Sequence, residues 1–114
     1  MAAYQPAKLL RLHFTERDRY QGKPLYEAIV EKCFELKMSG ATVLQGLEGF
    51  GDTAEIHRAH LLVHDSPIVV QIIDSEEKIQ RFLHQAEPML GFGLIAISDV
   101  QIRRIQKGAS PPAP

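Results

Sequence analysis

Between Leu10 and Phe14 the apolar side chains alternate with Arg11 and His13, the period of two that turns one face of a strand towards a core. From Pro24 to Met38 the pattern changes. Leu25, Tyr26, Ile29, Val30, Cys33, Phe34 and Leu36 gather on one side of a helix, with Glu27, Glu31, Lys32 and Glu35 opposite. Pro24 suits the first helical turn, where its missing N–H is not needed, and Ser39-Gly40 is expected to stop the helix. Ala41 to Leu47 reads as a second strand, and Ile68 to Ile73, rich in β-branched residues, as a third. Asp74 with Glu77 has the spacing of an N-cap and its capping-box partner. They precede Ile79, Phe82, Leu83, Ala86 and Leu90 at helical intervals, and Pro88 is expected to end or kink that helix. After Gly91-Phe92-Gly93, Leu94 to Ile105 supplies a last strand.

The order is βαββαβ, the ferredoxin-like arrangement of the α+β class, in which one antiparallel sheet carries both helices on a single face. The other face is open to water unless something covers it. Leu9 lies out of phase with Leu10 and Leu12, and Val69 and Ile73 lie out of phase with Ile68, Val70 and Ile72, so two strands are apolar on both sides. A second copy of the chain is the simplest cover, and closed homo-oligomers are the common form. Between Gly46 and Arg58 three glycines interrupt any periodicity, so most of that stretch reads as a long loop, and Arg58 to Val63 as a short strand or a helical turn.

The 114 residues suffice for one domain, placed at 8–106, with disordered tails expected at 1–7 and 107–114. A net charge of −1 supplies no broad basic field for nucleic acid or a membrane surface. The two central strands also lack the aromatic platform on which RNA-recognition modules stack bases. A single cysteine, Cys33, excludes an internal disulfide and a thiolate zinc cage. No apolar stretch approaches the ~20 residues needed to span a bilayer, and the opening residues lack the order of a signal peptide. The expected compartment is the cytoplasm.

Candidate chemistry is sparse. Lys23-Pro24 opens a helix, and Arg17 and Arg19 precede it, so three cations and free N–H groups can meet on an anion; a salt-bridged loop is the competing reading. His57, His60 and His64 would share a helical face and offer imidazoles to a metal, but in an extended chain only His60 and His64 share a side. Histidines near a strand end are the simpler account of them. His13 with Arg11 reads as an interface pair, His84 as a solvated helix residue and Cys33 as a small hydrophobe. Asp52 and Glu55 sit in the glycine-rich loop without the rigid placement that acid-base catalysis needs, and no nucleophile has a base beside it. The residues point to a binding protein and not to an enzyme.

Three blocks, Arg19-Tyr20-Gln21-Gly22-Lys23-Pro24-Leu25-Tyr26-Glu27-Ala28-Ile29-Val30, Ser39-Gly40-Ala41-Thr42-Val43-Leu44-Gln45-Gly46-Leu47-Glu48-Gly49-Phe50-Gly51 and Ile72-Ile73-Asp74-Ser75-Glu76-Glu77-Lys78-Ile79, resemble domain-of-unknown-function family 190. The likeness covers nearly all of Leu9 to Ile105, and that family is similar in fold to the PII signal-transduction proteins. The resemblance implies a homotrimer with its sheets packed inward. It also implies a small, anionic effector in the cleft between subunits and a protein partner met by the loop after the second strand, here residues 50–57. The ligand residues expected in that cleft, from the charges at the helix start and at the foot of the loop, are Lys23, Arg58, Arg17, Arg19 and His57. The glycine- and lysine-rich loop with which PII proteins grip phosphate has no counterpart, because Gly46-Leu47-Glu48-Gly49-Phe50-Gly51 lacks a terminal Lys-Ser/Thr. The resemblance names no cofactor. The alternative reading is a metal-binding or small catalytic trimer.

Overall fold

The computed structural model describes residues 3–50, 56–58 and 65–105 of the chain. In order these form β1 (Gln5–Thr15), β2 (Arg19–Tyr20), β3 (Lys23–Pro24), α1 (Leu25–Glu35), β4 (Thr42–Gln45), β5 (Glu48–Gly49), β6 (His57–Arg58), β7 (Pro67–Asp74), α2 (Glu76–Ala86), a 3-10 turn (Glu87–Met89) and β8 (Leu94–Ile102). One sheet runs in the order β4-β7-β1-β8 with every neighbouring pair antiparallel. Each helix therefore links two parallel strands that hold a third between them, the split βαβ form expected from the element order. The remaining strands make two small ribbons, β2 with β3 and β5 with β6.

Strand periodicity decides which side chains meet the helices. Leu10, Leu12 and Phe14 of β1 and Ile68, Val70 and Ile72 of β7 are buried in one cluster with Leu25, Ala28, Ile29 and Cys33 of α1 and Ile79, Phe82, Leu83 and Ala86 of α2. Each large apolar side chain sealed there contributes about 1.5–3 kcal/mol relative to exposure. The apolar stripe of α1 is wider than the sheet can cover. Residues one i,i+4 row over, Tyr26, Val30 and Phe34, run from half-buried to exposed, and Phe34 is 87% exposed although the pattern predicted it on the core face.

Several boundaries move. β1 begins at Gln5, inside the stretch expected as a disordered tail, and Ala7 is buried opposite Val100. Its pairing with β7 starts only at Lys8, so Gln5 to Ala7 lie at an edge on one side, where Pro6 is tolerated. Lys23-Pro24 is the arm of a hairpin and not the first turn of α1. Gln21 and Gly22, with φ of 50° and 84°, form the two-residue loop of that hairpin, which requires left-handed backbone at both positions.

Helix α1 stops before Ser39-Gly40. Lys37 takes φ 58°, its N–H donates to the Phe34 carbonyl and the Met38 N–H to the Cys33 carbonyl, the pair of bonds of a Schellman ending. At α2 the cap is Ser75, whose Oγ accepts from the Lys78 N–H at 3.3 Å, and not Asp74. Asp74 is occupied elsewhere, accepting from the Ser39 N–H and the Ser75 N–H, each at 2.8 Å. The Gly46–Arg58 stretch is not wholly loop: Glu48 and Gly49 pair with Arg58 and His57.

Candidate functional site

Two regions of the molecule carry the residues singled out from the sequence. The first is the face of the sheet opposite the helices. Cross-strand register aligns its side chains in rows. Leu44, Val69, His13 and Leu94 form one row across the four strands; Thr42, Gln71, Arg11 and Ala96 form the next; Ile73, Leu9 and Ser98 form a third, and Ala7 with Val100 a fourth. The first and third rows are largely apolar, with Leu44 47%, Leu94 58% and Ile73 38% exposed. Apolar rows with exposed members of this kind mark a place of association.

The second region surrounds the start of α1, where three cations were expected to converge. Lys23 turns along the helix and its Nζ donates to Glu31 Oε1 at 2.7 Å. That hydrogen bond and the charge of Glu31 raise the Lys23 pKa, so the ammonium is fixed as a cation. In the β2–β3 ribbon Tyr20 faces Lys23 and Arg19 faces Pro24, which places Arg19 on the opposite side from Lys23. Arg17 lies 3.5 Å from Asp65 Oδ1. The Leu25 N–H donates to the Asp18 carbonyl at 2.8 Å, so one of the free donors of the helix start already has a partner. His57 and Arg58 form β6, opposite Gly49 and Glu48. Thus Arg19 and Lys23 share the β2–β3 hairpin on opposite sides, His57 and Arg58 share β6, Arg17 lies between β1 and β2, and Lys23 and Arg17 each hold a carboxylate.

His60 and His64 lie outside the described residues, as do Asp52 and Glu55. Among the described residues no three His, Cys, Asp or Glu side chains meet in a way that could hold a metal ion. Cys33 is 3% exposed in the core, and burial pushes its thiol up to about 12, which leaves no thiolate at neutral pH. An open groove of about 590 Å³ lies where Lys8, Glu76, Asp99 and Gln101 meet, but Lys8 is bonded to Asp99 within it. No helix among the described residues is long and apolar enough to cross a membrane. The row of Thr42, Gln71 and Arg11 escaped sequence reasoning as a unit. Its one visible signal was a glutamine between Val69 and Ile73 on an otherwise apolar strand face.

The model of the family DUF190, described as an uncharacterized ACR, matches residues 7–102. A UPF0166 protein of Aquifex aeolicus is 41% identical over 97 residues, covering 83% of this chain and 91% of that protein. A UPF0166 protein of Methanocaldococcus jannaschii is 33% identical over 99 residues, covering 84% and 91%. Among solved structures, CPII of Thiomonas intermedia K12, a nitrogen regulatory PII-like protein bound to ADP, AMP and bicarbonate, is similar with a TM-score of 0.71 at 20% identity, covering 90% of this chain and 92% of that one. The divalent ion tolerance protein CutA1 from Ehrlichia chaffeensis follows at a TM-score of 0.57 and 12% identity, covering 90% and 86%. At these identities the likeness to the solved structures is one of fold, the PII-like ferredoxin arrangement.

Proposed function

The chain belongs to the DUF190 family and has the PII-like fold, and on that footing we propose that it is a regulatory binding protein, not an enzyme, that works as a homotrimer. The observation that carries the reading is the open sheet face. Its apolar rows, led by the exposed Leu44, Ile73 and Leu94 with the half-buried Val69, match a surface that another copy covers. The effector is a small anion in the cleft between copies, where Lys23, Arg17, Arg19, His57 and Arg58 are the candidate ligands, those that one copy keeps apart being contributed by different copies. Segment 50–57 turns to a protein partner; the exposed Phe50 gives it an apolar anchor at one end. CPII, with its bound ADP, AMP and bicarbonate, supports an adenine nucleotide or bicarbonate as the effector.

Light scattering at micromolar concentration tests the assembly, which should have three times the mass of one chain. Calorimetry with ADP, AMP and bicarbonate tests the effector, on the native protein and on Lys23→Ala and Arg58→Ala. Binding that both variants weaken is the expected result. A single-chain mass overturns the trimer, and binding unchanged in both variants overturns the site.

A further inference from the structure

We propose that the row Thr42–Gln71–Arg11 on the open sheet face is a binding site for a small oxyanion, completed when copies of the chain close over that face. The proposal rests on the covered face argued above but concerns residues outside the effector cleft.

The register puts Thr42 opposite Gln71 and Gln71 opposite Arg11 on three adjacent strands, so a hydroxyl, an amide and a guanidinium stand side by side. Neighbouring strands lie about 4.8 Å apart, a spacing at which one oxyanion can accept from adjacent side chains. Apolar rows flank this polar one, through Leu44 and Val69 on one side and Ile73 and Leu9 on the other. The four strands place no carboxylate on this face; its ionisable side chains are Arg11 and His13. Neither makes a hydrogen bond or ion pair among the described residues, and both are half-buried.

Covering the face sharpens the demand. A buried charge requires a partner, and the guanidinium cannot be neutralised by losing its proton. A second copy presenting the same face brings another Arg11 and no carboxylate. Arg11 binds planar or tetrahedral oxygens through paired N–H donors, and the Gln71 amide and Thr42 hydroxyl add uncharged donors beside it. The chemistry selects an oxyanion such as phosphate or bicarbonate over chloride.

Sedimentation equilibrium on the full chain tests this, with inorganic phosphate replacing chloride at fixed ionic strength and pH. Phosphate should tighten self-association of the native protein about tenfold, as one to two charge-assisted hydrogen bonds imply. Arg11→Gln should associate in chloride and lose the response. Thr42→Val, a change on the edge strand that alters no charge, should keep association with a smaller response, and it serves if Arg11→Gln does not fold. Association that ignores phosphate, or a response that Arg11→Gln retains, overturns the oxyanion site and leaves the covered face standing. Single chains in every buffer overturn both.

Discussion

The carboxylate of Asp74, at the end of β7, accepts a hydrogen bond from the backbone N–H of Ser39, which lies between α1 and β4, at 2.8 Å. Two crossing connections at one end of the sheet are thereby tied by a single side chain. Burial pushes the Asp74 carboxyl upward, but hydrogen bonds from the Ser39 and Ser75 N–H groups, the Ser39 hydroxyl and the charge of Lys78 outweigh it and hold the carboxyl below its ordinary value.

Asp74→Ala should therefore lower stability by about 1–3 kcal/mol, because two backbone donors lose their acceptor. Asp74→Asn, which keeps an acceptor oxygen, should cost less. The native contribution is fully present above the unfolded carboxyl's value of about 3.9 and is lost as pH falls through the lower folded value. Denaturant melts at neutral and acidic pH check this, and Asp74→Asn should flatten the acid limb.

A second prediction concerns Gly93, which precedes β8 with φ 150°. A Cβ there would stand 2.4 Å from the His13 carbonyl oxygen, a backbone atom that cannot swing aside. Gly93→Ala should cost about 2 kcal/mol or more and loosen the β1–β8 edge first. Hydrogen exchange of the Leu94 to Ile97 amides reads that loosening, and wild-type protection would refute it.

Lys37 offers the opposite sign. A lysine holds the left-handed position of the Schellman ending, where an L side chain costs about 1 kcal/mol or more. Lys37→Gly should stabilise the chain, offset in part by the greater freedom of the unfolded glycine. Thermal melts decide it.

Much of this was legible in the chain beforehand, and the exceptions share a cause. Alternation in Leu10 to Phe14 and the β-branched run Ile68 to Ile73 announced the central strands because burial on a sheet face imposes a period of two. The α2 face was equally plain. Pairing partners were not: Asp74 has the spacing of a local cap, yet it is claimed by Ser39, and Lys23 is claimed by Glu31 instead of an anion at the helix start. Composition ranks such groups without saying which distant neighbour reaches them. The polar row likewise exists only through register, since Thr42, Gln71 and Arg11 are far apart along the chain.

Ile73→Asp should separate assembly from folding. Ile73 is 38% exposed in the single chain, so a carboxylate there stays hydrated until another copy covers it. The particle mass should fall to that of one chain while far-ultraviolet circular dichroism persists. Val69 is a poorer choice, because it is already half-buried in the single chain and a carboxylate there would burden folding as well as assembly.

Glu31→Gln should strengthen effector binding about threefold if Lys23 holds the effector, because it releases the ammonium from an exposed ion pair of modest worth. Calorimetry alongside Lys23→Ala reads the effect, and equal affinity in native protein and Glu31→Gln would remove Lys23 from the site.

The central place of β1 also governs when this fold can form. Gln5 pairs with Ile102 and Lys8 with Asp74, so the strand of this sheet that is made earliest finds its partners among those made later. Such wide sequence separation delays the closure of loops that must precede the rewarding contacts, and it slows the search. Until β7 and β8 are synthesised, β1 exposes both hydrogen-bonding edges together with the apolar face of Leu10, Leu12 and Phe14, a condition under which a nascent chain needs a chaperone.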